Sequence, residues 1–187
     1  MSKAQQEYYK REHSYLDVAR PVYADRIIGE VVESIGLTKE EKVLEIGCGK
    51  GRFSIPLLKK GYNLTCLDDS KELLNDFRKN AGQPVKIVEG DFNEVCLEHE
   101  KEFDCVIGFY ILHHFPSLKQ AAKSIRSVLK NKDCKIAFVE PNPFNLMYYV
   151  QMLAYEDLSW DDERGMLDMT WSKLGFACFV VKCSVAF

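Results

Sequence analysis

Residues 43–51 read Val-Leu-Glu-Ile-Gly-Cys-Gly-Lys-Gly. A short apolar run holding one acid, Glu45, gives way to a loop with glycine at every second position: Gly47, Gly49 and Gly51. Glycine lets the backbone turn sharply and lets a ligand lie against it with no Cβ in between. A strand, such a loop and a following helix build a nucleotide-type site at the carboxyl end of a parallel sheet. The dinucleotide fingerprint Gly-x-Gly-x-x-Gly does not fit, because Arg52 stands where the third glycine, needed for close helix–strand packing, belongs. A nicotinamide-dependent oxidoreductase is therefore disfavoured. Lys50 and Arg52, at the edge of the loop, read as solvated.

On both sides of this loop the periodicity alternates. Tyr8, Tyr9, Tyr15, Leu16 and Ala19 form a loose aromatic stripe on an N-terminal helix that breaks at Pro21. Ile27, Ile28, Val31, Val32 and Ile35 mark a second helix stopping near Gly36. Beyond the strand at 42–46, a helix ends at Gly61 and a strand covers 63–67. Asp69-Ser-Lys-Glu72 has the form of a capping box and opens a helix to about Asn80. Strands follow at 85–88, 104–109 and 134–139. Ser117-Leu-Lys-Gln120, a second capping box, opens a helix with Ala121, Ala122, Ile125, Val128 and Leu129 inward. Helices at 144–154 and 161–173 and a last apolar strand at 177–187 complete the pattern. Near-continuous apolar strands alternating with amphipathic helices predict one α/β domain: a doubly wound, mainly parallel sheet of six or seven strands with helices on both faces. Its parts are a helical cap (1–38), a ligand-binding core (39–145) and C-terminal helices with the last strand (146–187).

The 187 residues suit one domain with one substantial core. The hydrophobic share of 47% and charged share of 28% are those of an ordinary globular chain. A formal net charge of −3 with no basic block argues against nucleic acid as a partner. No apolar run reaches the ~18 residues of a membrane span, and the polar N-terminus is no signal peptide, so a cytoplasmic protein is expected. The seven cysteines are odd in number and form no Cys-x-x-Cys. They read as reduced, buried small hydrophobes rather than a disulfide framework.

Three strand ends carry candidate chemistry. Asp68, about twenty residues past the loop, is placed to accept from ribose hydroxyls, and Asp69 either joins it or caps the next helix. Asp91-Phe92 follows the third strand, where the plain alternative is a surface turn with an inward phenylalanine. The fourth strand runs Phe103-Asp-Cys-Val-Ile-Gly-Phe-Tyr-Ile-Leu-His-His114, and the fifth ends Glu140-Pro-Asn-Pro-Phe-Asn145.

Taken in order, Glu-x-Gly-x-Gly-x-Gly, the acid at Asp68, Asp91-Phe92, the Phe-Asp-x-Val to Leu-His-His segment and the Glu140-Pro ending resemble the Rossmann-like, class I S-adenosylmethionine-dependent methyltransferases of small-molecule type. The resemblance covers roughly residues 40–145 and implies S-adenosyl-L-methionine as cofactor, with S-adenosyl-L-homocysteine as product. It implies cofactor contacts from Glu45, Gly47, Cys48, Gly49, Gly51, Asp68 and Asp69. Asp91 would take the adenine amino group, with Phe92 packed on the ring. Backbone carbonyls at Gly108 and Phe109 would hold the methionine ammonium, and Tyr8 and Tyr15 would form a lid. The family's Asn/Asp-Pro-Pro-Tyr, Pro-Cys and paired-glutamate signatures, which mark nucleic-acid and protein substrates, are missing, so a small organic acceptor is expected.

In such a reaction a nucleophile displaces the sulfonium in line, and a base is needed only where the nucleophile must lose a proton. Tyr110, His113 and His114 are the candidates for that role, with Glu140, Tyr8, His13 and Tyr15 also near the expected methyl position. Histidine suits it because its unperturbed pKa lies near neutrality; local packing of the His-His pair is the plain alternative. A metal site needs ligands that the pair lacks, so no metal is expected. Family members end in two strands and this chain offers one, so either another element covers the C-terminal sheet edge, or a homodimer or other partner does, or the chain is a shortened form lacking the last strand. An inactive, cofactor-binding partner or scaffold protein is the alternative function.

Overall fold

The computed structural model describes residues 21–140. Helix α1 (Pro21–Ile35) buries Ala24, Ile27, Ile28, Val31 and Ile35. It closes as the spacing predicts: Gly36 turns left-handed at φ +59° and the Leu37 N–H reaches back to the Val32 carbonyl at 3.0 Å. Then follow β1 (Lys42–Ile46), α2 (Ser54–Lys59), β2 (Asn63–Asp68), α3 (Lys71–Ala81), β3 (Lys86–Glu89), α4 (Phe92–Glu98), β4 (Cys105–Phe109), a 3-10 turn (Leu112–His114), α5 (Leu118–Val128) and β5 (Lys135–Val139).

All four strand pairings are parallel, in the order β3-β2-β1-β4-β5. Alternate residues of one strand face opposite sides, and the strands are apolar on both. Val43, Cys105, Ile107 and Phe109 pack with α1, α2 and α3. Leu44, Ile46, Val106 and Phe138 pack with α4 and α5. The chain leaves β1 toward β2 and β3, then crosses back to lay β4 on the other side of β1. That reversal opens a crevice at the carboxyl ends of β1 and β4, where ligands of open α/β sheets bind.

The Phe-Asp pair that opens the fourth strand has a structural purpose. Phe103 is buried, and Asp104 Oδ2 accepts from the Lys42 N–H at 2.9 Å and from Lys130 Nζ at 2.7 Å. The acid thereby pins the first residue of β1 beside β4 and sets their register.

Several sequence expectations shift. The helix after β2 is capped by Ser70, whose Oγ accepts from the Leu73 N–H at 3.3 Å, and not by Asp69. Ala122 is exposed and Ser124 takes the inward place, donating to Asn93 Oδ1 at 2.8 Å on α4. Helix α4 and the 3-10 turn are too short for periodicity to reveal. The described residues hold five strands. The tyrosine stripe at 8–19, the helices at 144–154 and 161–173 and the strand at 177–187 lie outside them. No helix among the described residues is long and apolar enough to cross a membrane.

Replacing Asp104 by Ala should lower stability by about 1–3 kcal/mol, the cost of stranding a backbone N–H and an ammonium partner. A urea unfolding curve measures it, and an unchanged midpoint would show that β1 registers without the acid.

Candidate active site

The loop after β1 is shaped by two neighbours and left open at one point. A Cβ on Gly47 would sit 2.6 Å from the Ile111 side chain, and one on Gly51 would sit 2.4 Å from the Phe77 ring. Both residues also have positive φ, +72° and +85°. Gly49, at φ +50°, differs: its missing Cβ would meet only Leu73 Cδ1, at 3.9 Å. The outer glycines are therefore required by packing within the protein, while the middle one leaves room at the mouth of the crevice.

Asp68 fixes that loop. Its Oδ2 accepts from the Gly49 N–H at 2.8 Å and its Oδ1 from the Ser70 N–H at 2.9 Å. The Gly47 and Cys48 N–H groups meanwhile donate to the Leu67 carbonyl, and the Gly90 N–H donates to the Asp68 carbonyl. The ends of β1, β2 and β3 are thus tied together around one side chain. Each carboxylate oxygen keeps a second lone pair, so Asp68 can hold the loop and still accept from a ligand hydroxyl.

Two buried acids lie behind the loop. Glu45 is 1% exposed, and burial pushes its carboxyl up to about 7. Ser54 draws it partly back and the Asp68 charge adds to the rise. Among the described residues Glu45 Oε2 and Ser54 Oγ make no hydrogen bond of full geometry, although Ser54 lies close enough to favour the charged carboxylate. Burial likewise lifts Asp68 to about 6, against the pull of the Ser70 and Gly49 amides. Burial raises Asp69 as well, and the Asp91 carboxylate adds to it. The Cys48 thiol is buried beside Cys66 and held protonated by burial. Its contribution to the loop is the backbone amide.

Asp91 caps α4, with Oδ1 accepting from the Asn93 N–H at 2.8 Å. Phe92 turns inward, packed edge-on against Phe115, as in the plain alternative of an inward phenylalanine. A Cβ on Gly108 would strike Phe138 at 2.5 Å. The β1–β4 ladder stops at the Ile46–Gly108 pair while the β4–β5 ladder runs on to Phe109–Val139. The β1 side of Phe109 therefore faces the glycine loop with no strand alongside.

Tyr110 follows at φ +58°, a left-handed conformation costing about 1–3 kcal/mol outside glycine. Its N–H donates to the Val139 carbonyl at 2.7 Å, and its hydroxyl pairs with that of Tyr23 from α1. Arg52 is not simply solvated: its guanidinium lies 5.1 Å from the centre of the Tyr23 ring and 5.3 Å from that of Phe53. Phe53 in turn stacks on Phe109 at 4.2 Å. Lys50 is also drawn in, 3.9 Å from Asp76.

His113 is buried with Nδ1 2.5 Å from Glu140 Oε2, and its ring centre lies 4.1 Å from that of His114. Burial, then His113, pushes His114 down to about 3. The structure thus gathers Glu45, the glycine loop, Asp68, Asp69 and Asp91 at adjoining strand ends on one side of the switch point, and Tyr110, His113 and His114 on the other. Tyr8 and Tyr15 lie outside the described residues. Ser70, Tyr23 and the bonds of Glu140 had no distinct sequence signal, although Glu140 closing an apolar strand was a hint.

Residues 43–132 match the family model described as a methyltransferase domain. Curated relatives include the ubiquinone biosynthesis O-methyltransferase of Rickettsia felis, 25% identical over 58% of this chain and 45% of the relative. Another is an uncharacterized methyltransferase of Geobacillus, 27% identical over 71% of this chain and 62% of the relative. The chain spans about half the length of the curated relatives it matches. Among solved structures, a Pyrococcus horikoshii protein is similar at a TM-score of 0.61 and 28% identity, covering 78% of this chain and 71% of that one. Residues 43–132 are thus similar to a methyltransferase domain, and the fold is that of the Rossmann-like methyltransferases.

An acid whose folded pKa lies above its unfolded value holds its proton longer in the folded state. Its favourable contribution is complete below the unfolded value and is lost as pH rises through the folded one. For Glu45 that window runs from pH about 4.5 to about 7. Between pH 5 and 8 the ligand-free wild type should therefore lose roughly 2–3 kcal/mol relative to Glu45→Gln. Parallel pH dependences in thermal unfolding would show that Glu45 ionises as freely as in solvent.

Proposed function

We propose that this protein binds S-adenosyl-L-methionine in the crevice at the ends of β1, β2, β3 and β4 and methylates a small-molecule acceptor. The observation that carries the reading is Gly49. It is the loop glycine whose side chain the protein does not exclude by packing, and it sits where a ligand can lie against the backbone. Asp68 and Asp69 accept from the ribose hydroxyls, and Asp91 takes the adenine amino group. The open β1 side of Phe109, together with Gly108, offers backbone carbonyls to the methionine ammonium.

When bound, the cofactor supplies a methyl group made electrophilic by a sulfonium. Its positive charge suits a site with two acids, Glu45 and Asp68, that burial pushes toward the protonated form. A nearby cation favours the charged carboxylate, so binding offsets the burial cost of both acids. Tyr110, held in a strained conformation at the end of β4, lines the acceptor side with Tyr23. Free, buried cysteines at 48, 66, 96 and 105 suit a reducing, cytoplasmic setting. One domain with an N-terminal helical cap completes this reading.

Calorimetric titration tests it. Wild type should bind S-adenosylmethionine and S-adenosylhomocysteine with micromolar affinity and NADH not at all. Gly49→Val should abolish binding while the protein stays folded, and Asp68→Ala should weaken it by about 1–3 kcal/mol. Wild-type affinity in Gly49→Val would overturn the loop assignment. Tight binding with no methyl transfer to any of a broad acceptor panel would instead favour the inactive scaffold.

A further inference from the structure

Two thiols meet beneath the glycine loop. Cys66 stands on β2 opposite Glu45 of β1 and is fully buried. Cys48, also buried, belongs to the same core cluster, on the α1–α3 side of the sheet. The main chain brings the two together, because the Cys48 N–H donates at 3.1 Å to the carbonyl of Leu67, the residue after Cys66. The Cys48 thiol lies within hydrogen-bonding reach of the Cys66 thiol. Their supports differ. Cys66 is fixed in a strand that is paired on both sides. Cys48 stands between Gly47 and Gly49, whose left-handed backbones at φ +72° and +50° make this the adaptable end of the pair. A disulfide needs its sulfurs about 2 Å apart, closer than two thiols in contact, so a bridge forms only if one residue moves. Here the loop residue can. Burial, then the neighbouring thiol and the Asp68 charge, hold the Cys48 thiol protonated, so the reduced pair is inert while the loop lies closed.

We propose that Cys48 and Cys66 are a modification site, at which a hydroperoxide converts the pair to a disulfide and the bridge closes the cofactor crevice. The consequence for binding rests on the methyltransferase reading above; the chemistry belongs to the two thiols. When the loop lifts, Cys48 loses its proton to water and its thiolate attacks one oxygen of the hydroperoxide. The O–O bond breaks with its pair kept by the leaving oxygen, which takes up a proton and departs as water or an alcohol. Cys48 is left as a sulfenic acid. The sulfur of Cys66 then attacks that of Cys48, the S–O bond breaks, and the hydroxide leaves as water with the Cys66 proton. Two electrons have passed from the thiols to the peroxide. The new bond draws Cys48 toward β2 while Asp68 still holds the neighbouring Gly49 amide. The loop sets in a shape that no longer fits a ligand lying against Gly49. A bound cofactor, in turn, keeps the loop down over the thiols, so binding and bridging oppose each other reciprocally.

The test treats the full, reduced chain with hydrogen peroxide. Remaining thiols are alkylated with iodoacetamide and the protein is digested with trypsin, which places Cys48 on residues 43–50 and Cys66 on residues 61–71. The expected product in mass spectrometry is these two peptides joined, lighter by two hydrogens than their sum and separated by dithiothreitol. In calorimetry the joined protein should bind S-adenosylhomocysteine about tenfold or more weakly, the loss of one loop contact, and dithiothreitol should restore it. Saturating S-adenosylhomocysteine during the treatment should slow the joining. Cys66→Ser should keep its affinity through the same treatment; if this variant does not fold, the wild-type peptides and titrations decide. Peptides 43–50 and 61–71 recovered unjoined, a joined protein with undiminished affinity, or a Cys66→Ser protein that loses binding on oxidation would overturn the proposal. Failure of the reduced chain to bind S-adenosylhomocysteine would instead overturn the underlying methyltransferase reading.

Discussion

The Asp68 carboxylate is the constraint on which the site depends. Its two oxygens take one amide from the glycine loop and one from the start of α3, and its own carbonyl takes the Gly90 amide. Three strand ends that would otherwise splay are held at fixed spacing. The arrangement has a built-in tension, because burial of Asp68 and Glu45 opposes the charge that a cationic ligand would want. Protons stabilise these buried acids, whereas a cationic ligand of the kind proposed would favour their charged forms.

Across the switch point a second carboxylate has a matching position. Glu140 organises the turn after β4 as Asp68 organises the loop after β1, each by accepting main-chain N–H groups that no strand can satisfy. Between them lies Tyr110, whose left-handed backbone is sustained by the bond to Val139 on one side and the Glu140 grip on Ile111 on the other. Strain held by surrounding bonds in this way is typical of residues placed for function.

Much of this was legible in the sequence. Apolar strands alternating with amphipathic helices led to the parallel sheet, and Gly36 and Gly61 marked helix ends through their left-handed geometry. Glycine spacing located the loop and its acids. What escaped has a common cause: it depends on which direction one side chain turns. Asp69 and Ser70 are both good caps, and only the geometry of the β2 end chooses Ser70. Phe92 follows a capping acid, and the pull of the core against Phe115 turns it inward. Short elements such as α4 hold too few residues to display a period. The pairing of Glu140 with His113 joins residues 27 positions apart and has no periodic signature at all.

The outer glycines of the loop carry one more implication. Their geometry is complementary to Ile111 and Phe77, which come from the turn after β4 and the middle of α3. The conformation of residues 47–51 is therefore stored only partly in those residues. Grafted alone into another parallel sheet, the same segment would arrive without the two surfaces that mould it. A transplant that worked would have to carry the matching isoleucine and phenylalanine along, as a lock is moved with its strike plate.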